Sequence, residues 1–169
     1  MRRRPIGVLV DALRALGADI SYEGEEGYPP LRVNGRRLAG GDIEMDASVS
    51  SQYVSALMMI APLMERGLTL TLTGDVASRP YIIMTLKMMK LWGVDGELYR
   101  DVITIAPGAY SAPAVPVEIE GDWSAAAAWY EITAISGGMI TIDNLTDESC
   151  QGDRIVADIY SRLGVDTDF

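Results

Sequence analysis

Residues 48–63 read SVSSQYVSALMMIAPL, a polar step followed by an apolar run. The run predicts a helix over residues 53–61, and Pro62 should end it because proline lacks the backbone donor that a helix interior needs. Residues 120–130, EGDWSAAAAWY, repeat the arrangement of a polar start and an apolar helix. The two segments indicate a chain built from repeated units.

The sequence on either side predicts strands and helices in a recurring order. Helices are predicted over residues 6–16, 53–61, 82–91, 125–135 and 155–163, and strands over residues 20–22, 31–33, 43–45, 68–72, 95–99, 102–105, 115–119 and 139–143, with loops at residues 74–80 and 147–153. Gly17, Gly93 and Gly164 end three helices at spacings of 76 and 71 positions. Ser51 and Ser124 stand 73 positions apart at two helix starts. Each full unit therefore reads βαβαββ, and such repeats bury their apolar helix faces against one another.

These units predict an α/β fold. The chain begins inside one unit and ends inside another, so we expect it to be a fragment of a longer protein. It is 49% hydrophobic over 169 residues, enough to bury a core.

Composition excludes several classes of function. The net charge of −10 argues against a nucleic-acid binder, which needs a basic face. The absence of histidine removes the commonest general base and most transition-metal sites. The single Cys150 excludes an internal disulfide and fits a reducing cytoplasm. No dinucleotide motif, phosphate-binding loop or metal spacing occurs, so we expect no cofactor and no metal. The apolar run at residues 6–10 is too short for a signal peptide.

Three adjacent polar residues open the helix over residues 53–61. Ser50 and Ser51 could serve only as a helix cap, because a serine hydroxyl satisfies a free backbone N–H. The same hydroxyls, the free N–H groups and the positive helix end also form a site for phosphate or carboxylate. Gln52 adds an amide that both donates and accepts. This segment is the predicted binding site for an anionic small molecule.

Two other segments could contribute to the site. Arg4 precedes Pro5, which fixes the start of the first helix, and a guanidinium held in this way suits a carboxylate or phosphate. The alternative is a solvated charge run, since Arg2 and Arg3 are adjacent. Ser78 and Tyr81 lie after the strand that follows the Ser50 helix, although an ordinary turn would explain them equally.

Seven segments together resemble the EPSP synthase family in the same order along the chain. They are residues 4–20 (RPIGVLVDALRALGADI), 28–35 (YPPLRVNG), 48–63, 74–82 (GDVASRPYI), 120–130, 137–145 (GGMITIDNL) and 149–153 (SCQGD). The resemblance implies repeated βαβαββ units arranged as an inside-out α/β barrel. It also implies that residues 1–116 are the last part of a first domain and residues 117–169 the beginning of a second.

The family transfers the enolpyruvyl group of phosphoenolpyruvate (PEP) to the 5-hydroxyl of shikimate 3-phosphate, without a redox cofactor, on the route to chorismate and aromatic amino acids. By resemblance, Ser50 and Ser51 hold the shikimate phosphate and Gln52 lies near both substrates. Ser78 and Tyr81 make further contacts to shikimate 3-phosphate, and Arg4 binds PEP. The expected partners are therefore these two substrates and the rest of the enzyme.

The resemblance assigns no catalytic residue to this chain. The acid/base carboxylates and the active-site lysines of the family belong to segments that this sequence lacks. The family often has two serines in the later Gly-Asp segment, whereas Ser124 is followed here by Ala125. Two alternatives remain open, an enolpyruvyl transferase acting on UDP-N-acetylglucosamine and a non-enzymatic repeat module that binds another protein.

Overall fold

The computed structural model describes residues 2–48, 50–76 and 78–169. Val49, within the predicted Ser48–Gln52 segment, and Ala77, within the predicted loop at residues 74–80, lie outside the described residues. The chain divides into two compact units, Met1–Ala114 and Val115–Phe169.

The first unit contains one complete βαβαββ motif preceded by a shorter αββ segment. The bounds are α1 Gly7–Ala15, β1 Asp19–Tyr22, β2 Leu31–Asn34, β3 Gly41–Asp46, α2 Ser51–Ile60, β4 Leu68–Thr73, α3 Arg79–Leu91, β5 Gly96–Tyr99 and β6 Val102–Ile105. Every helix and strand predicted in this unit is present. α2 ends at Ile60, and Pro62 lies in the single 3-10 turn Ala61–Leu63 that follows. The α-helix ends before this proline, which has no backbone N–H to donate.

A four-stranded sheet forms the framework of the first unit, in the order β3-β4-β6-β5. β3 and β4 are parallel, whereas β6 runs antiparallel to both β4 and β5. On β4 the alternation of leucine with threonine buries Leu68, Leu70 and Leu72 on one face. Those leucines pack with the apolar faces of α2 and α3, and β1 and β2 pair separately as an antiparallel ribbon.

Three helices end in the same way, which supports the repeat. Gly17, Gly93 and Gly164 follow α1, α3 and a helix of the second unit, and all three have positive φ angles of 103°, 80° and 86°. After each glycine, the next backbone N–H donates to the carbonyl five residues earlier, at 2.9, 3.1 and 3.0 Å. This is the bonding of a glycine-terminated helix, in which only glycine adopts the left-handed conformation without steric cost.

The second unit holds two α-helices, α4 Trp123–Ser136 and α5 Ile155–Ser161, with a 3-10 turn at Gly152–Arg154. Its core is small, and Trp123 is the largest fully buried side chain in it. The Trp123 ring lies 6.3 Å from the Tyr130 ring and 6.1 Å from the Phe169 ring, measured between centroids.

The strands predicted over residues 115–119 and 139–143 are wrong, because neither segment forms a strand. The two segments still meet through Asn144. The backbone N–H of Gly121 donates to the Asn144 carbonyl at 2.5 Å, and Asn144 Nδ2 donates to the Ile119 carbonyl at 2.9 Å. Asn144 has a φ of 63°, which ends the extended backbone there. In the first unit, β4 pairs with a strand on each side. Residues 115–169 contain no strands equivalent to β5 and β6.

Candidate functional site

The carboxyl ends of β3 and β4 bring two helix starts to the same edge of the sheet. The parallel register pairs Asp46 with Thr73, the last residues of the two strands, and α2 and α3 follow them in turn. Beyond the ladder, the Ala47 N–H donates to the Thr73 carbonyl at 2.9 Å, so the loops after the strands also run side by side. Ligands of open α/β sheets bind at such an edge.

Ser50 is the N-cap of α2. Its backbone is extended, with φ −172° and ψ 122°, and its Oγ accepts a hydrogen bond from the Gln52 N–H at 3.2 Å. The capping interpretation of this serine is therefore correct. Capping uses the hydroxyl only as an acceptor, and the Ser50 O–H can still donate to an anion. Ser50 and Ser51 are half-buried and Gln52 is exposed, so the segment is open to a ligand.

The first turn of α2 carries no acidic residue that would offset the positive end of the helix. The nearest carboxylate in sequence, Asp46, is hydrogen-bonded within its own loop, where its Oδ1 accepts from the Ser48 N–H at 2.9 Å. Hydrogen bonds from the side chain and then the backbone of Ser48 lower the pKa of Asp46 from its usual value. Asp46 therefore stays ionised, with its charge directed to Ser48.

A tyrosine bonds the residue after Arg4 to the first turn of α2. The Tyr53 hydroxyl, in the first turn of α2, donates to the carbonyl of Pro5 at 2.6 Å. Arg4 itself is exposed in the turn that precedes α1. The Tyr53 side chain thus joins the backbone of Pro5 to α2, although 48 residues separate the two bonded partners.

Ser78 and Tyr81 occupy the start of α3. Ser78 precedes the helix without capping it by its side chain, and its carbonyl accepts from the Tyr81 N–H at 3.1 Å. Arg79 fixes this start to the β5–β6 turn by donating to the Arg100 carbonyl at 2.6 Å and pairing with the Asp101 carboxylate. The Tyr81 side chain is 38% exposed. α3 begins at Arg79, whereas the sequence predicted a helix over residues 82–91.

The start of α4 is built differently from that of α2. Asp122 caps α4 by accepting from the Ser124 N–H at 2.8 Å, and the Ser124 hydroxyl donates to the Asp153 carboxylate. Ser124 is the second residue of α4, whereas Ser51 is the first residue of α2, so the predicted equivalence of these two serines is wrong by one position. The caps Ser50 and Asp122 are the equivalent residues, because each accepts from the N–H two positions later.

Sequence reasoning missed three residues that shape this edge: Tyr53, Asp46 and Arg79. Their partners are 48, 2 and 22 residues away, respectively. Only the Asp46–Ser48 bond had a local signal, an aspartate two residues before a serine at the end of a predicted strand.

Among residues 2–48, 50–76 and 78–169, no group of three or more His, Cys, Asp or Glu side chains is arranged to hold a metal ion. In those same residues, no helix is long and apolar enough to cross a membrane.

Comparison with known proteins places the chain among enolpyruvyl transferases. The family model described as EPSP synthase (3-phosphoshikimate 1-carboxyvinyltransferase) matches residues 1–168. A 3-phosphoshikimate 1-carboxyvinyltransferase of Bacteroides fragilis strain YCH46 is 47% identical over all of this chain, and one of Marinomonas sp. strain MWYL1 is 42% identical over 97% of it. The chain spans only 41% and 39% of the lengths of these two curated relatives.

A solved structure has the same fold. EPSP synthase from Acinetobacter baumannii matches with a TM-score of 0.65 and 24% identity, over 79% of this chain and 29% of that protein. The predicted α/β fold of the enolpyruvyl transferase type is confirmed by this likeness.

Proposed function

Since the chain belongs to the EPSP synthase (3-phosphoshikimate 1-carboxyvinyltransferase) family of transferases, we propose that it supplies part of the site for shikimate 3-phosphate and PEP in such an enzyme. The complete enzyme would transfer the enolpyruvyl group of PEP to the 5-hydroxyl of shikimate 3-phosphate. The residues of this chain bind and orient the substrates, and other segments of the longer protein supply the acid and base.

The start of α2 carries this proposal. Its positive dipole and the hydroxyls of Ser50 and Ser51 suit a phosphate. No acidic side chain occupies its first turn. At the α4 start, by contrast, the carboxylates of Asp122 and Asp153 already take the helix N–H and the serine hydroxyl. A helix start without carboxylates, at the carboxyl edge of parallel strands, favours an external anion.

We assign the remaining predicted residues to the same two substrates. Ser78 and Tyr81 open the neighbouring helix at the same edge and would contact shikimate 3-phosphate, as would the exposed amide of Gln52. Arg4, whose neighbour Pro5 is bonded to Tyr53 of α2, would bind the carboxylate or phosphate of PEP through its paired donors.

The chain alone should bind weakly and show no turnover. A helix end with two hydroxyls contributes about 1–3 kcal/mol and a charge-assisted arginine bond about 1.5–3 kcal/mol. A sum of roughly 3–6 kcal/mol corresponds to dissociation constants from about 6 mM to about 40 μM, and shikimate 3-phosphate without the arginine bond should bind at the weak end of this range. The cations that would tighten binding belong to absent segments of the family pattern.

Titration of the chain with shikimate 3-phosphate, followed by amide NMR, tests the proposal. We expect shifts at residues 50–52 with a dissociation constant of about 1 mM or weaker. Ser51→Ala should weaken binding, whereas Ala125→Ser, which adds a hydroxyl near the start of α4, should create no second site. Shifts absent from residues 50–52, micromolar affinity by calorimetry, or PEP-dependent phosphate release would contradict the proposal.

The two-part organisation belongs to the same proposal. Residues 1–116 would be the end of the first domain and residues 117–169 the start of the second, in a cytoplasmic enzyme. The compact units divide between Ala114 and Val115, two residues from this boundary.

Exposed apolar side chains support a need for further partners. Ile83 and Leu91 on α3 are 40% and 51% exposed, and Ile135 on α4 is 80% exposed. The rest of the longer enzyme would cover such faces, and in its absence copies of the chain would associate through them. Light scattering across a concentration series tests this, because a constant monomeric mass would contradict association.

A further inference from the structure

Tyr53 links two segments to which the proposed function assigns different substrates. Its ring is half-buried and packs against the main core of the first unit, so its position is set by the framework of the fold. Its hydroxyl leaves the core and donates to the Pro5 carbonyl at 2.6 Å. Because the ring is held by the core, this hydrogen bond fixes the distant backbone carbonyl that it reaches.

The peptide group that Tyr53 contacts is held on both of its polar atoms. Its oxygen, on Pro5, accepts from Tyr53, and its N–H, on Ile6, donates to the Gly27 carbonyl at 2.8 Å. The ring of Pro5 also restricts the φ angle of that residue. Arg4 is therefore separated only by Pro5 from a peptide group that is fixed in position and orientation.

We propose that Tyr53 is a positioning residue, which fixes the backbone next to Arg4 relative to α2 so that the Arg4 guanidinium meets the carboxylate or phosphate of PEP. The inference rests on the proposed function of Arg4. Without the Tyr53 hydroxyl, the peptide group between Pro5 and Ile6 would be held only through its N–H, by the Gly27 carbonyl. A flexible arginine must lose more conformational freedom on binding, and pre-ordering its backbone reduces that cost.

A second tyrosine provides a matched control. The Tyr110 hydroxyl donates to the Met59 carbonyl at 2.8 Å, across 51 residues of sequence, near the opposite end of α2. Tyr110→Phe thus removes the same type of bond over the same sequence distance, away from Arg4. Both substitutions keep the ring and delete one hydroxyl.

The experiment measures PEP affinity by NMR, from amide shifts of residues 50–52, in the wild-type chain and in Tyr53→Phe, Tyr110→Phe, Arg4→Gln and the Arg4→Gln/Tyr53→Phe double variant. Tyr53→Phe should weaken PEP binding about two- to tenfold, the effect of one net hydrogen bond. Tyr110→Phe should leave the affinity unchanged within error. In the Arg4→Gln background, Tyr53→Phe should have no further effect, because its action passes through Arg4.

Each other outcome decides against the proposal. A wild-type chain without a PEP response contradicts the proposed function, and this inference with it. A normal wild-type response with unchanged affinity in Tyr53→Phe overturns only the positioning role. An equal loss in Tyr110→Phe, a persisting effect in the Arg4→Gln background, or a Tyr53→Phe chain that fails to fold would show that the hydroxyl is purely structural.

Discussion

The first unit contains a four-stranded sheet and caps its α2 start with a serine hydroxyl, whereas the second unit contains no strand and bonds its α4 start with its own carboxylates. In the first, β3 and β4 support α2, whose first turn carries no acid. In the second, no strand forms among residues 115–169, and Asp122 and Asp153 bond to the α4 start. The candidate anion site therefore lies at the helix start that the chain does not neutralise with its own carboxylates.

The largest expected difference between the units is in their tolerance of core truncation. Seventeen described buried residues form the core of the first unit, and four form that of the second. Trp123→Ala removes the largest of those four, at a typical cost of about 3–5 kcal/mol, and should unfold the second unit. Leu70→Ala costs about 2–5 kcal/mol and should leave the first unit folded but weakened.

Amide hydrogen exchange checks this comparison helix by helix. Trp123→Ala should remove protection from α4 and α5, and Leu70→Ala should reduce protection in β4 and its neighbours without abolishing it. Retained protection of α4 in Trp123→Ala would mean that the second unit has stabilising contacts beyond its aromatic core.

Local signals were sufficient to predict the first unit. Pro62 and Gly93 act on the backbone of their own helices, so the helix ends could be predicted without knowledge of any partner. The strand predicted over residues 139–143 failed for the opposite reason. Its alternation is a local pattern, but a strand is stable only when a neighbour satisfies its backbone, and the extended run ends at Asn144 with positive φ.

The candidate site shows the same limit. A serine before an apolar helix predicts a cap, and Ser50 is one. The bond that joins α2 to Pro5 is made by Tyr53 with a partner 48 residues away, which no local pattern encodes. The ligand roles of Arg4, Ser50, Ser51, Gln52, Ser78 and Tyr81 stay predictions.

The equivalent helix ends should differ by a smaller, measurable amount. Gly93→Ala and Gly164→Ala each force a side chain into the left-handed region, at about 1–2 kcal/mol. A Cβ at Gly164 would meet no atom within 4 Å, whereas one at Gly93 would overlap the Ser111 hydroxyl. Urea unfolding should therefore show a larger loss for Gly93→Ala.

A second substitution separates the two causes. Adding Ser111→Ala to Gly93→Ala removes the overlapping hydroxyl and should reduce the loss to that of Gly164→Ala. Equal losses for the two single variants would mean that Ser111 rotates away without cost and that these two glycine ends are equivalent in energy as well as in geometry.

The smallest expected effect concerns the loop before α2 and its response to pH. The Ser48 side chain and then its N–H lower the pKa of Asp46 from 3.8. A carboxylate whose folded pKa is depressed contributes stability above its unfolded pKa and loses it as the pH falls through the folded pKa.

Carbon-detected NMR should therefore give an Asp46 midpoint below 3.8 in the wild-type chain. Ser48→Ala should raise the midpoint and Ser48→Thr should preserve it, because the hydroxyl is the larger cause. An unchanged midpoint in Ser48→Ala would assign the lowered pKa of Asp46 to the backbone N–H of Ser48 alone. Asp46 would then resemble Asp122, the cap of α4, because each carboxylate accepts from the backbone N–H two residues later.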